Sequence, residues 1–205
     1  MSLFTSEDET RIAEAIGAVE GRTSGEILAV VARQSDSYLH VPFLVASLVA
    51  LLVPWPFIYL TWHPMQWVFT IQLAVFILIL ALLLPGQTRL WFVPGRVKKE
   101  TAHRRAVEQF LVQNLHTSSG RTGVLIFVSI AEHYAEIIAD QGINAKVPGG
   151  TWQSIVDQLT RDLADGKAAD GFVTAVEACG QHLAAHFPPG SANADELPNH
   201  LIVLQ

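Results

Sequence analysis

One cysteine, two methionines and only 16% charged residues stand among the 205 positions of this chain, and each shortage excludes something. The lone Cys179 forms no intrachain disulfide and suits a reducing compartment. Soluble domains carry about 25% charged residues, so the shortfall points to an apolar region, as does a mean hydropathy of +0.33. Lys and Arg number 13 against 19 Asp and Glu, a net charge of -6, which excludes a broad nucleic-acid footprint. Also missing are a phosphate loop, a dinucleotide glycine fingerprint, a nucleophile elbow and a His-Glu-x-x-His pair. The opening "MSLFTSEDETRIAEAIGAVE" reads as a capped amphipathic helix, with Ser6 as N-cap and Glu9 three residues on, rather than as a secretory leader.

What is present is concentrated grease. Val41 to Trp62 and Met65 to Pro85 contain no charged residue. Each is close to the ~20 residues that cross ~30 Å of hydrocarbon. A chain of this size has no core large enough to bury both. Pro54 and Pro56 predict a kink in the first run, and His63-Pro64 leaves room only for a tight turn between the two. Tyr59, Trp62 and Trp67 at the turn, with Tyr38, Trp91 and Phe92 at the far ends, are placed as interfacial aromatic belts. The turn has no Lys or Arg, whereas Arg33 precedes the first run and Arg89, Arg96, Lys98, Lys99, Arg104 and Arg105 follow the second. Basic residues stay on the cytoplasmic side, so both termini are expected there. With no ionisable residue inside the spans, a transport pathway is not expected.

The flanks read as ordinary soluble sequence that needs both halves. Ser6 to Glu20 is a helix, and "EILAVVAR" (Glu26 to Arg33) is a β-branched apolar run of the kind found in central strands. One strand and one helix do not fold alone. Beyond the spans come a basic helix (Val97 to Leu115) and two strands, "GVLIFVSI" (Gly123 to Ile130) and "YAEIIAD" (Tyr134 to Asp140). Two helices follow, Thr151 to Gly166 and Gly171 to Phe187, and a Pro/Gly-rich stretch leads to a candidate edge strand, His200 to Leu204. The first strand must run toward the membrane. The basic helix then leads about 28 Å away from it, so the second strand returns parallel to the first through a right-handed crossover. A short turn makes the third antiparallel. Glu26, Arg121 and Asp140 then share one rim of a small mixed sheet, on the side away from the membrane.

"TSGEILAVV" (Thr23 to Val31), "RTGVLIFVS" (Arg121 to Ser129), "AEIIADQGI" (Ala135 to Ile143) and the two helices after them resemble the TPM-domain family, in particular its bacterial branch with a membrane hairpin inserted in the domain. The resemblance implies an α/β fold, an α/β/α sandwich around a small mixed β-sheet, interrupted here by a two-helix transmembrane hairpin. It implies, among known members, acid phosphatase activity, divalent metal binding (often calcium), or a role in membrane-associated assembly or repair. The chain departs from the better-characterised pattern in three ways. Its domain is expected in the cytoplasm, Thr122 stands where those members have Asn, and "ADQGINAKVPGG" replaces a glycine-rich segment.

Asp140 is the leading chemical candidate, either as a carboxylate for a hard cation or as a nucleophile or base in phosphoryl transfer. The plainer reading is that Asp140 stops the strand and Gly142 takes positive φ in a turn. Glu26 is the candidate second oxygen ligand, and Arg121 either clamps a phosphate or pairs with one of the two acids. Glu132 and Glu136, near the turn between strands, read as solvated. Cys179, His182 and His186 lie on one helix face, a spacing open to zinc but equally to a core cysteine with dipole-compensating histidines.

The expected organisation is residues 1–40 and 87–188 as the two parts of one cytoplasmic α/β domain, 41–86 as the hairpin and 189–205 as a tail. The leading functional expectation is a multi-pass protein of the bacterial inner membrane whose domain binds a ligand or a membrane-protein partner. The alternative is a weak acid phosphatase-like hydrolase, in which Asp140 is catalytic, Asp140 and Glu26 hold calcium or magnesium, and Arg121 holds phosphate. The lipid bilayer is an expected partner and nucleic acid is not.

Overall fold

The structure, a computed structural model, describes residues 4–60, 64–115, 122–189 and 200–204. Two compact units emerge: Met1–Ser35 together with Lys99–Gln205, and Asp36–Lys98.

The first unit is built on a four-stranded mixed sheet. The strands are β1 (Glu26–Ala32), β2 (Gly123–Ser129), β3 (Tyr134–Ala139) and β4 (Ile202–Leu204), in the spatial order β3-β2-β1-β4. β1 pairs parallel to β2 and to the short edge strand β4, and β3 is antiparallel to β2. The two halves of the sequence thus meet strand to strand, as the β-branched runs predict. All seven residues of β1 and of β2 are buried, which a central strand covered on both faces requires. Ile27, Leu28, Val30 and Val31 each bury a side chain that contributes about 1.5–3 kcal/mol.

Alternation along the strands sorts these side chains into two cores. Ile27, Ala29, Val31, Val124, Ile126 and Val128 pack with α1 (Ser6–Glu20), α8 (Thr151–Ala164) and α9 (Ala168–His186). On the other face, Leu28, Val30, Ala32, Leu125 and Phe127 pack with Ala106 and Phe110 of α6 (Gly95–Val112) and with Leu115. The result is an α/β/α sandwich. α1 presents Ile12, Ile16 and Val19 from a single stripe, the four- and three-residue spacing that aligns side chains on one helix face. Its N-cap is Thr5 rather than Ser6. The Thr5 hydroxyl accepts from Asp8 N at 3.2 Å and the Asp8 carboxylate accepts from Thr5 N at 2.9 Å. The reciprocal pair Thr5–Asp8 satisfies two orphan donors at once.

The second unit is a helical hairpin. α2 (His40–Leu52) is interrupted at Val53 and resumes as α3 (Pro54–Leu60), while α4 (Met65–Leu83) is continuous. The break falls where Pro54 and Pro56 remove backbone donors. α2 packs on α4, and the buried residues of α2 are the small Pro42, Ala46 and Ala50. Leu44, Leu48, Leu51, Leu52, Ile58, Phe69, Leu73, Ile77, Leu78 and Leu82 are all more than half exposed. By length and composition, His40–Tyr59 and Met65–Leu83 are able to cross a membrane. A short α5 (Gly86–Arg89) and a 3-10 turn (Leu90–Phe92) follow. Of the expected aromatic belt, Tyr59, Trp67, Trp91 and Phe92 are displayed, but Tyr38 is buried, with φ 47°, in the segment before α2. Trp62 lies outside the described residues.

Candidate functional site

The strand register fixes the amino-terminal edge of the sheet. Glu26 lies opposite Gly123, Val124 lies opposite Ala139, and Asp140 N donates to the Gly123 carbonyl at 2.9 Å. Glu26, Gly123 and Asp140 therefore form one row. Side-chain alternation puts them on the face covered by α6, beside Leu28, Leu125 and Ile138. With strands about 4.8 Å apart, the two acids stand about 10 Å from each other at Cα. The middle of the row is filled. A Cβ on Gly123 would sit 2.8 Å from the Leu115 carbonyl oxygen and about 3 Å from its side chain, so the absent side chain of Gly123 is what admits Leu115. Arg121, the third residue expected here, lies outside the described residues.

Asp140 has a definite local task. At φ -64° and ψ 160° it is the N-cap of a one-turn helix, α7 (Gln141–Asn144). Its Oδ1 accepts from Gln141 N at 2.6 Å, and its carbonyl accepts from Ile143 N and Asn144 N at 3.0 Å. Gly142 sits inside that helix rather than in a positive-φ turn, because the cap makes helical geometry the cheaper way to satisfy the freed donors. Asp140 Oδ2 is buried and has no hydrogen-bond partner. Glu26 is only 5% exposed, and on the opposite face of the sheet Glu20 Oε1 accepts from Ile27 N at 2.9 Å. Among the described residues no three of His, Cys, Asp and Glu converge on a point. Calcium takes about six to eight oxygens, and Glu26 and Asp140 stand on either side of Leu115. The described residues do not form a set that fits calcium or magnesium.

The carboxyl-terminal edge carries a site that the linear sequence does not announce. Glu132 was expected to be solvated. It is instead 7% exposed, and its carboxylate accepts from Ser35 N at 3.1 and 3.2 Å and from the Ser129 hydroxyl. Ser35 and Ser129 hydroxyls are 2.7 Å apart. The bonds to Ser35 join positions 94 and 97 residues apart, so no local signal reveals them. The parallel ladder runs on into this turn through Ile130 N to the Ala32 carbonyl and Ala131 N to the Arg33 carbonyl. Next to the staple, between the β2–β3 turn and the end of α8, opens a cleft of about 510 Å³. Val128, Ile130, Ala135, Leu163 and Ala164 give it apolar walls, with His133 and Thr160 among its polar groups. The carboxyl ends of parallel strands are where open α/β sheets bind ligands. Removing the carboxylate strands the part-buried Ser35 amide and leaves the Ser129 hydroxyl with only the Ser35 hydroxyl as partner. Glu132→Ala is thus expected to lower stability by about 2 kcal/mol in urea unfolding, and Glu132→Gln, which keeps one acceptor, by less than half of that.

Two further clusters resolve into structure. Glu136 is not free in solvent either. It accepts from the Tyr134 hydroxyl at 3.0 Å and lies 2.9 Å from His103 Nδ1 on α6. Burial, and then the Glu136 charge, pushes the Tyr134 hydroxyl above its ordinary value. Cys179 is fully buried, and burial pushes its thiol up to about 12, which keeps it protonated and in the core rather than a thiolate ligand. His182 packs edge-on against Trp152, with ring centroids 6.4 Å apart. The zinc spacing on α9 is a core position with flanking histidines.

The sheet order and the cleft give a frame for comparison with known proteins. No curated protein matches the chain. Among solved structures, the NMR structure of the BA42 protein from the psychrophilic bacterium Bizionia argentinensis is similar to it. The TM-score is 0.62, with 98% of this chain and 96% of that one covered, at 21% identity. At this identity the likeness is one of fold. Residues 86–182, from the end of the hairpin through β2, β3 and α8 into α9, match the family model of the TPM domain. That match spans just under half of the chain, and the mixed sheet with its helical layers is the fold shared with the BA42 structure.

Proposed function

We propose that this chain is a membrane-tethered binding module. Its hairpin anchors it in the bacterial inner membrane, and its TPM domain, assembled from both flanks in the cytoplasm, holds a ligand or a membrane-protein partner. The observation that carries the binding reading is the cleft of about 510 Å³ at the end of β2. Its size and its apolar walls with a few polar groups are those of a site that receives an apolar moiety. The tether is supported by apolar side chains that stand more than half exposed along α2, α3 and α4. The cytoplasmic side is supported by the basic residues that flank the spans and are missing from the turn between them.

The test fills the cleft without touching the core. Ala164 is exposed at the last turn of α8, so Ala164→Trp is compatible with the fold and projects an indole into the cleft. Wild type, purified from solubilised native membranes, is expected to retain a component that Ala164→Trp loses, with the melting temperature unchanged. Identical retention would sink the cleft as the binding site.

A second, hydrolytic reading is favoured by one atom, the buried and unpartnered Oδ2 of Asp140. Asn caps a helix about as well as Asp, so Asp140→Asn preserves α7 and isolates the chemistry. On the binding reading, wild type and Asp140→Asn alike leave a generic phosphomonoester intact. Turnover by wild type that vanishes in Asp140→Asn would install the hydrolytic reading instead.

A further inference from the structure

After α4 the chain does not pass straight into α6. Pro85 and Pro94 bracket α5 and the 3-10 turn Leu90–Phe92. This bracket is tied down from two sides. The Thr88 hydroxyl donates to the Leu82 and Pro85 carbonyls at 3.1 and 2.9 Å. Arg89 Nη1 donates to the Ser37 carbonyl, which joins the segment leaving α4 to the one leading into α2. The fixed turn displays what a water-facing turn would hide. Trp91 is 88% exposed and Phe92 53%, while Val93 beside them is buried. Arg96, exposed, and Lys98, half-buried, follow in the first turn of α6. Across residues 36–98 a single carboxylate, Asp36, stands against Arg89, Arg96 and Lys98.

A rigidly presented indole and phenyl ring next to cationic heads, at the end of apolar helices, have the chemistry of the headgroup layer. Indole rings settle at the boundary between headgroups and acyl chains, and basic side chains at that depth are drawn to anionic lipids. We propose that Trp91, Phe92, Arg96 and Lys98 form an interfacial anchor for the phosphate-bearing headgroups of anionic phospholipids. The anchor rests on the bilayer reading of the hairpin given above. It goes beyond that reading by assigning a lipid class and the residues that select it. Charge complementarity decides for the anionic lipid, since a zwitterionic headgroup offers no net charge to this excess of positive residues. Near a membrane surface each basic residue adds about five-fold to that preference.

The test uses the full chain in nanodiscs made from equal parts phosphatidylglycerol and phosphatidylcholine, with one lipid or the other brominated in its upper acyl chain to quench nearby indoles. The Trp91 signal is the difference between wild type and Trp91→Phe. That signal is expected to be quenched at least about two-fold more by brominated phosphatidylglycerol than by brominated phosphatidylcholine. The ratio should fall to one in Arg96→Gln/Lys98→Gln, and also in about 1 M salt, where charges are screened beyond about 3 Å. Equal quenching by the two lipids in wild type overturns the headgroup preference. Quenching of Trp91 by neither lipid, while the remaining tryptophans are quenched, overturns the interfacial placement and gives the surface to a protein instead. A chain that enters no disc overturns the bilayer reading and the anchor together, a result distinct from either failure of the anchor alone.

Discussion

Gly180→Val is expected to be among the most damaging single substitutions in the first unit, lowering stability by about 3 kcal/mol or more through overpacking. Gly180 lies on α9 where α1 crosses it. A Cβ there would stand 2.4 Å from Cγ1 and 2.7 Å from Cγ2 of Val19. Val19 is fully buried, and its β-branch confines it to essentially one rotamer in a helix, so it has no way to step aside. Even Gly180→Ala should lose more to this collision than the ~1 kcal/mol it gains in helix propensity. A change of sign is expected when the obstructing methyls are removed. In a Val19→Ala background both Cγ atoms are gone, and Gly180→Ala should then be neutral or stabilising. A double-mutant cycle by urea unfolding is expected to give a coupling of about 1–3 kcal/mol. Additive effects would mean that the two helices do not approach through this pair.

The second large effect concerns the hairpin, where water and lipid predict opposite outcomes. Leu73 and Ile77 lie one turn apart on α4 and are 60% and 56% exposed. If that face met water, arginine at both would change stability by only a few tenths of a kcal/mol. In a bilayer each arginine near the helix centre costs about 2.5–3.5 kcal/mol, against about 0.3–0.6 kcal/mol gained per Leu, Ile, Phe or Val. Met65–Leu83 holds twelve such residues, a surplus of about 5 kcal/mol on that scale. Leu73→Arg alone should therefore still insert, whereas Leu73→Arg/Ile77→Arg should not. Alkaline extraction of membranes reads this directly, with the double variant moving to the soluble or degraded fraction. A reporter fused after Gln205 and active only outside the cytoplasm should stay silent in wild type. A double variant that remains membrane-embedded would contradict the bilayer reading.

How much of this was legible beforehand differs from element to element. The apolar, β-branched runs announce β1 and β2 as central strands, and the two uncharged runs announce the hairpin. In both cases one physical quantity, the transfer of apolar surface out of water, dominates over a contiguous window. Placing Glu26 and Asp140 in one row also followed from connection rules alone. What that row does was not legible. The role of Asp140 turned on competition between a positive-φ turn at Gly142 and a helical turn capped by its own carboxylate, two alternatives that differ by a few local hydrogen bonds. The occupation of the row by Leu115 depends on a loop position packing over Gly123, a contact with no periodicity to betray it.

The sequence by itself determined the fold class, the parallel pairing of the flanks and the presence of an apolar hairpin, because hydrophobic patterning and chain connectivity act locally or through simple geometry. Only the tertiary structure decided that Glu132 is a buried staple to Ser35 and Ser129, that a cleft opens beside it, and that Trp91 is displayed while Tyr38 is hidden. Those outcomes depend on hydrogen bonds and van der Waals fit between residues distant in the chain. Their energies come from partners that no local window contains.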